Sequence, residues 1–141
     1  MTLRIGEALL DRIRRHGEEA YPAECCGVIA GTADPVKQAV RVVPGANRRT
    51  DDPHRYLMDA EQIRLVEREL RATGLEIVGY YHSHPDHPAA PSPYDAEHAW
   101  PWYSYLIVQV AAGRAAEITA WVLDAERPIM HRESLEVPTE V

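Results

Sequence analysis

One stretch, His82-Ser83-His84-Pro85-Asp86-His87-Pro88-Ala89-Ala90-Pro91-Ser92-Pro93-Tyr94-Asp95, constrains this chain more than any other, because it gathers metal-ligating side chains at two spacings. The apolar run 75–81 before it predicts a buried strand that delivers His82 and His84 at its carboxyl end. Side chains two apart on a strand share a face, their origins roughly 6.5 Å apart, so two imidazoles can converge on one ion while Ser83 points away. Pro85, with no N–H to donate, is expected to stop the ladder. Ser92-Pro93-Tyr94-Asp95 then reads as a helix start, with Ser92 at the N-cap and Pro93 in the first helical position. Two imidazoles and one carboxylate, leaving a fourth position for water, form the pattern of a catalytic zinc ion, held by His82, His84 and Asp95. Each half alone also has a plainer use. Ser-x-x-Asp is a near relative of the capping box, and the histidines fit a satisfied core position.

The rest of the chain sets the frame. Its 141 residues predict one α/β domain, and 45% hydrophobic with 26% charged residues is ordinary for a globular protein. The net charge is −7, and Arg12, Arg14, Arg15, Arg48, Arg49 and Arg55 are scattered, so no nucleic-acid partner is expected. Cys25 and Cys26 are the two cysteines, and as strand neighbours they point to opposite faces, which argues against a disulfide and for a reducing compartment. With no signal-like or membrane-length apolar segment, the expected location is the cytoplasm, away from membranes.

In chain order, residues 3–5 are extended, and Ala8, Leu9, Leu10 and Ile13 predict a helix ending near Gly17. Strands follow at 25–31, with Gly27 allowing a backbone to approach closely, and at 36–43, ended by Pro44-Gly45. The polar stretch 47–54 places His54 in a loop, and 56–58 predicts a short strand. Asp59 caps a second helix, with Gln62 completing a capping box, Ile63, Val66 and Leu70 forming its buried stripe and Gly74 closing it. The helix begun at Ser92 is short because Pro101 blocks it. His87 and His98 lie near the expected metal site without belonging to it. Trp100, Trp102 and Tyr103 fit a substrate groove, but large aromatics in this setting belong more often to the core. Strands at 105–110 and 117–123 flank the hairpin signal Ala112-Gly113, a last strand includes Ile129 and Met130, and a loose tail follows Glu136. Glu24 leads the first apolar strand, as a solvated end residue or a catalytic carboxylate. Cys25 and Cys26 read as small buried strand residues, not as nucleophiles or metal ligands.

His82-x-His84-Pro85, the spacer to Pro91, and Ser92-x-x-Asp95 resemble the JAMM (MPN+) metalloprotease motif. Pro22-Ala23-Glu24-Cys25-Cys26-Gly27 is similar to the surroundings of that family's catalytic glutamate. The resemblance implies a single JAMM/MPN-type domain over residues 1–136, cytidine-deaminase-like, with a curved mixed β-sheet flanked by two long helices and one short helix. It implies one zinc ion on His82, His84 and Asp95, Glu24 as general base and then general acid, and Ser92 as donor to the oxyanion. It further implies hydrolysis after the C-terminal glycine of a ubiquitin-like protein. The short connections look most similar to the compact prokaryotic branch, whose expected partners are ThiS- or MoaD-like sulfur carriers bearing a cysteine adduct or a C-terminal extension. Three other readings remain. A non-catalytic MPN scaffold would lack the intact set of five residues. RadC-like proteins share the spacing but carry asparagine where this chain has Ser83, and a zinc deaminase would need His-x-Glu and Pro-Cys-x-x-Cys patterns that are absent here.

Overall fold

A computed structural model of the chain describes residues 2–47, 58 and 60–138. His54, the Asp59 cap and all of the expected strand at 56–58 but Met58 therefore lie outside the described residues. In order, the elements are β1 (Thr2–Arg4), α1 (Glu7–Ala20), β2 (Cys26–Thr32), β3 (Gln38–Gly45), α2 (Ala60–Arg71), β4 (Glu76–Pro85), α3 (Pro93–His98), β5 (Ser104–Ala111), β6 (Arg114–Leu123) and β7 (Met130–Glu136).

The seven strands pair in the order β1-β3-β2-β4-β5-β6-β7. β4 and β5 run parallel, whereas β2 is antiparallel to both β3 and β4. The sheet is mixed, as expected, and its curvature closes it into a barrel. β1 makes the closure, running parallel to β7 over Thr2↔Ser134, Leu3↔Leu135 and Arg4↔Glu136, and meeting β3 at Arg4↔Gln38. Leu3 and Ile5 are fully buried, so this short strand is fixed by apolar burial as much as by its ladder.

Two cores flank β4. Leu10 and Ile13 of α1 pack with Val78 and Tyr81, while Val66 and Leu70 of α2 pack with Val28, Ile77 and Tyr80. Because strand side chains alternate, His82 and His84 share the face of Tyr80, and Ser83 shares that of Tyr81.

Several expectations change in detail. α1 runs past Gly17 to Ala20. A Cβ at Gly17 would meet Val110 at 2.9 Å, so this glycine serves close helix–strand packing and not a stop. Pro85 lies inside β4, paired with Val110. Ser83 donates its N–H to the Cys25 carbonyl, so the N–H that Pro85 lacks would point the same way, past the end of β2. At Gly27 the close neighbour is the Tyr81 ring, which a Cβ would strike, and not another backbone. Gln62 accepts the Ala46 N–H at 3.2 Å, tying α2 to the end of β3. No helix among the described residues is long and apolar enough to cross a membrane.

Candidate active site

The end of β4 and the start of α3 bring three donor groups together. His82 Nε2 and His84 Nε2 are 3.2 Å apart, His82 Nε2 lies 3.2 Å from Asp95 Oδ1, and His84 Nε2 lies 3.1 Å from Asp95 Oδ2. Ligands of a tetrahedral zinc ion, each about 2.0–2.2 Å from the metal, sit roughly 3.3–3.6 Å from one another, so this triangle is close to one face of such a site. Second contacts hold the donors in place. His84 donates Nδ1–H to the Pro88 carbonyl at 2.9 Å, which leaves the lone pair of the neutral ring on Nε2. That nitrogen thus faces His82 Nε2 and Asp95 Oδ2 at once. One proton satisfies a single pair of these atoms, whereas a shared cation satisfies all three.

Ser92 and Asp95 form the capping box and belong to the cluster as well. Asp95 donates its N–H to Ser92 Oγ at 3.1 Å, and Ser92 donates its N–H to Asp95 Oδ2 at 2.8 Å. The cap and the metal reading are therefore compatible, since the carboxylate has oxygens for both. Burial works against ionisation of Asp95, but the contacts from His82 and His84 and the Ser92 N–H outweigh it and hold its carboxyl well below the usual range. Burial keeps His82 below the usual imidazole value although Asp95 pulls the other way, so the ring favours the neutral form that a metal needs.

Glu24 completes the constellation from the loop before β2. It is buried, and one of its carboxylate oxygens lies with ring nitrogens of His82 and His84 inside a 4.8 Å group. Asn47 donates Nδ2–H to the Glu24 carbonyl at 3.0 Å. The five residues singled out in the sequence therefore lie together, and Glu24 rather than Glu18 or Glu19 reaches the histidines. A cleft of ≈ 510 Å³ opens beside them, walled by His84, Pro88, Tyr94 and Asp95.

A family described as prokaryotic homologs of the JAB domain matches residues 6–124. The chain belongs to this JAB/MPN family. A desampylase of Haloferax volcanii is 34% identical over 102 residues, 72% of this chain and 73% of that protein. A probable TtuB-protein conjugate cleaving protease of Thermus thermophilus is 31% identical over 115 residues, 82% of this chain and 75% of that protein. A JAB1/MPN domain protein from Archaeoglobus fulgidus shares the fold at 17% identity, with a TM-score of 0.58 over 97% of each chain.

Other side chains of this JAB domain divide into bystanders and walls. Cys25 and Cys26 are buried and unbridged, and burial pushes their thiols up to about 11 and about 12, so neither is a nucleophile at neutral pH. His87 is exposed, and His98 is exposed and donates Nδ1–H to the Tyr94 carbonyl. Trp100 and Trp102 are not core residues; they are 69% and 40% exposed, flanking Pro101, which bridges Leu123 at the end of β6. Trp100 instead lines a second crevice of ≈ 230 Å³ with Ile63, Tyr80, Tyr94 and Tyr105, and Tyr94 borders both clefts. Sequence reasoning missed Tyr80 and Tyr105 as crevice walls. The usable signal was alternation, which puts Tyr80 on the face of His82.

Proposed function

We propose that this JAB domain is a zinc-dependent peptidase or isopeptidase that cleaves conjugates of a ubiquitin-like protein. The bond is the one after the C-terminal glycine of a ThiS- or MoaD-like sulfur carrier, and cleavage releases an adduct such as cysteine or a C-terminal extension. The observation that carries this reading is the convergence of His82, His84 and Asp95 at 3.1–3.2 Å, with the buried Glu24 carboxylate beside them. The names of the two relatives support the substrate class.

His82, His84 and Asp95 would hold zinc, which supplies a Lewis acid and brings the pKa of water near 7. Glu24 takes the proton of the attacking water and passes it to the departing nitrogen. Its burial keeps that proton from exchanging with solvent between the two transfers. Ser92 Oγ already accepts the Asp95 N–H, so its own hydrogen is oriented away from the cap and available to the developing oxyanion. The aromatic crevice past Tyr94 gives residues of the substrate flanking the reacting bond a wall of rings to pack on.

The test is mass spectrometry of carriers bearing short C-terminal extensions or a cysteine adduct, incubated with zinc-loaded protein. A new C-terminus after the glycines, absent with chelator and with Glu24→Ala, is the expected result. Intact carriers in the presence of stoichiometric zinc would overturn the substrate class.

A further inference from the structure

Glu24 sits in a segment tied at both ends to the strand that carries the histidines. Downstream, Cys25 donates its N–H to Ser83 Oγ at 2.8 Å, and Ser83 donates its N–H to the Cys25 carbonyl at 3.1 Å. Upstream, Tyr21 donates its hydroxyl to Asp86 Oδ2 at 2.6 Å, in the range of a charge-assisted O–H···O⁻ bond. Ser83 and Asp86 bracket His84, and Tyr21 and Cys25 bracket Glu24. The two ties therefore set the base-bearing segment against the ligand-bearing one.

We infer that the Tyr21–Asp86 hydrogen bond is a positioning device for Glu24. Asp86 is well prepared for this. Its backbone is left-handed, with φ 57°, a conformation that aspartate tolerates better than most residues. Its N–H bonds the Val110 carbonyl at 2.8 Å, and its Oδ1 accepts the Ala112 N–H at 2.8 Å, which leaves Oδ2 aimed at Tyr21. The Tyr21 ring lies over Gly113, 3.7 Å from a built Cβ, so the hydroxyl is held from both ends. Asp86 thus anchors the end of β4 to the β5–β6 turn, and Tyr21 anchors the Glu24 segment to Asp86. Without the upstream tie, residues 22–24 keep the Ala23 N–H bond to the Ala20 carbonyl and the Asn47 bond to the Glu24 carbonyl but lose their link to the end of β4. A displacement of about 1 Å at a reacting group costs up to roughly 100-fold in rate.

The kinetic arm of the test rests on the proposed peptidase activity, whereas a second arm does not. In zinc-loaded protein, Tyr21→Phe removes only the hydroxyl. It is expected to lower kcat about tenfold with KM, zinc content and Tm near wild type. Asp86→Ala is expected to lower kcat at least as far, with a fall in Tm because the Ala112 N–H loses its acceptor as well, and the double variant to be no slower than Asp86→Ala alone. Asp86→Asn, which tolerates the same backbone and still bonds a hydroxyl, should recover part of the rate. Independently, amide hydrogen exchange at Glu24 and Cys25 should quicken in Tyr21→Phe while β5 stays unchanged. Wild-type kcat together with wild-type exchange in Tyr21→Phe would overturn the inference, as would a rate loss in Tyr21→Phe matched by lost zinc or lowered Tm. If the wild-type protein cleaves no conjugate, the proposed function fails, and the exchange arm still decides the role of Tyr21.

Discussion

Replacing Glu24 by Gln keeps the side chain's size and removes its basicity. The expected result is a fall in kcat of about 10²–10⁴ with zinc still bound, read from steady-state kinetics and metal analysis on one preparation. Ser92 and Asp95 separate differently. Ser92→Ala and Asp95→Ala each break the capping box, at about 1 kcal/mol by denaturant midpoint, but only Asp95→Ala should lose zinc. Cys25 and Cys26 give a third residue-level test. With thiols pushed up to about 11 and about 12 by burial, the native protein should resist alkylation at neutral pH, and both should react once it is unfolded. Rapid native labelling would show that the β2 end opens. Four of the candidate residues were legible because their spacings are local, two along a strand and three along a helix start, whereas Glu24, far away in the sequence, was singled out only through the resemblance of its surroundings. Tyr80 and Tyr105 were not, because their crevice exists only once β4 pairs with β5 in the register Tyr80↔Tyr105.

Between elements, small residues set how closely the layers meet. Gly27 on β2 faces the Tyr81 ring of β4, and that ring is buried and fixed by its hydroxyl, 2.8 Å from His16 Nδ1. Gly27→Ala should therefore cost about 1–3 kcal/mol, seen as a fall in Tm, and it strains the strand that leads from Glu24. The β5–β6 turn points the other way. Ala112 and Gly113 have φ of 50° and 83°, the pattern of a two-residue hairpin turn for which Asn-Gly is preferred. Ala112→Asn keeps the N–H that bonds Asp86 and relieves the left-handed alanine, so it should raise stability by roughly 0.5–1 kcal/mol. The turn and α3 could be read from sequence because a few adjacent residues specify them. The inclusion of Pro85 in β4 could not, since it depends on where a different strand ends.

At the scale of the whole molecule, barrel closure holds the fold at one place, and the proposed metal ion would add to it at another. Closure was hidden in the sequence because it joins residues 2–4 to 134–136, a pairing that no local periodicity announces. The three donors are local in sequence, yet they come from β4 and α3, so an ion there would link two elements that otherwise meet through hydrogen bonds. His84 Nε2 lies 3.1–3.2 Å from both His82 Nε2 and Asp95 Oδ2, the three atoms that a shared cation would draw together. Zinc should therefore raise Tm, and by linkage the gain is about 2.7 kcal/mol when free metal is at 100 times its dissociation constant. The stabilisation should shrink in acid, because His82 and His84 must be unprotonated to bind. Calorimetry with zinc and with chelator tests this, and His84→Ala is the control that should abolish the difference. An equal Tm in the two conditions for the wild-type protein would mean that the three donors hold no ion.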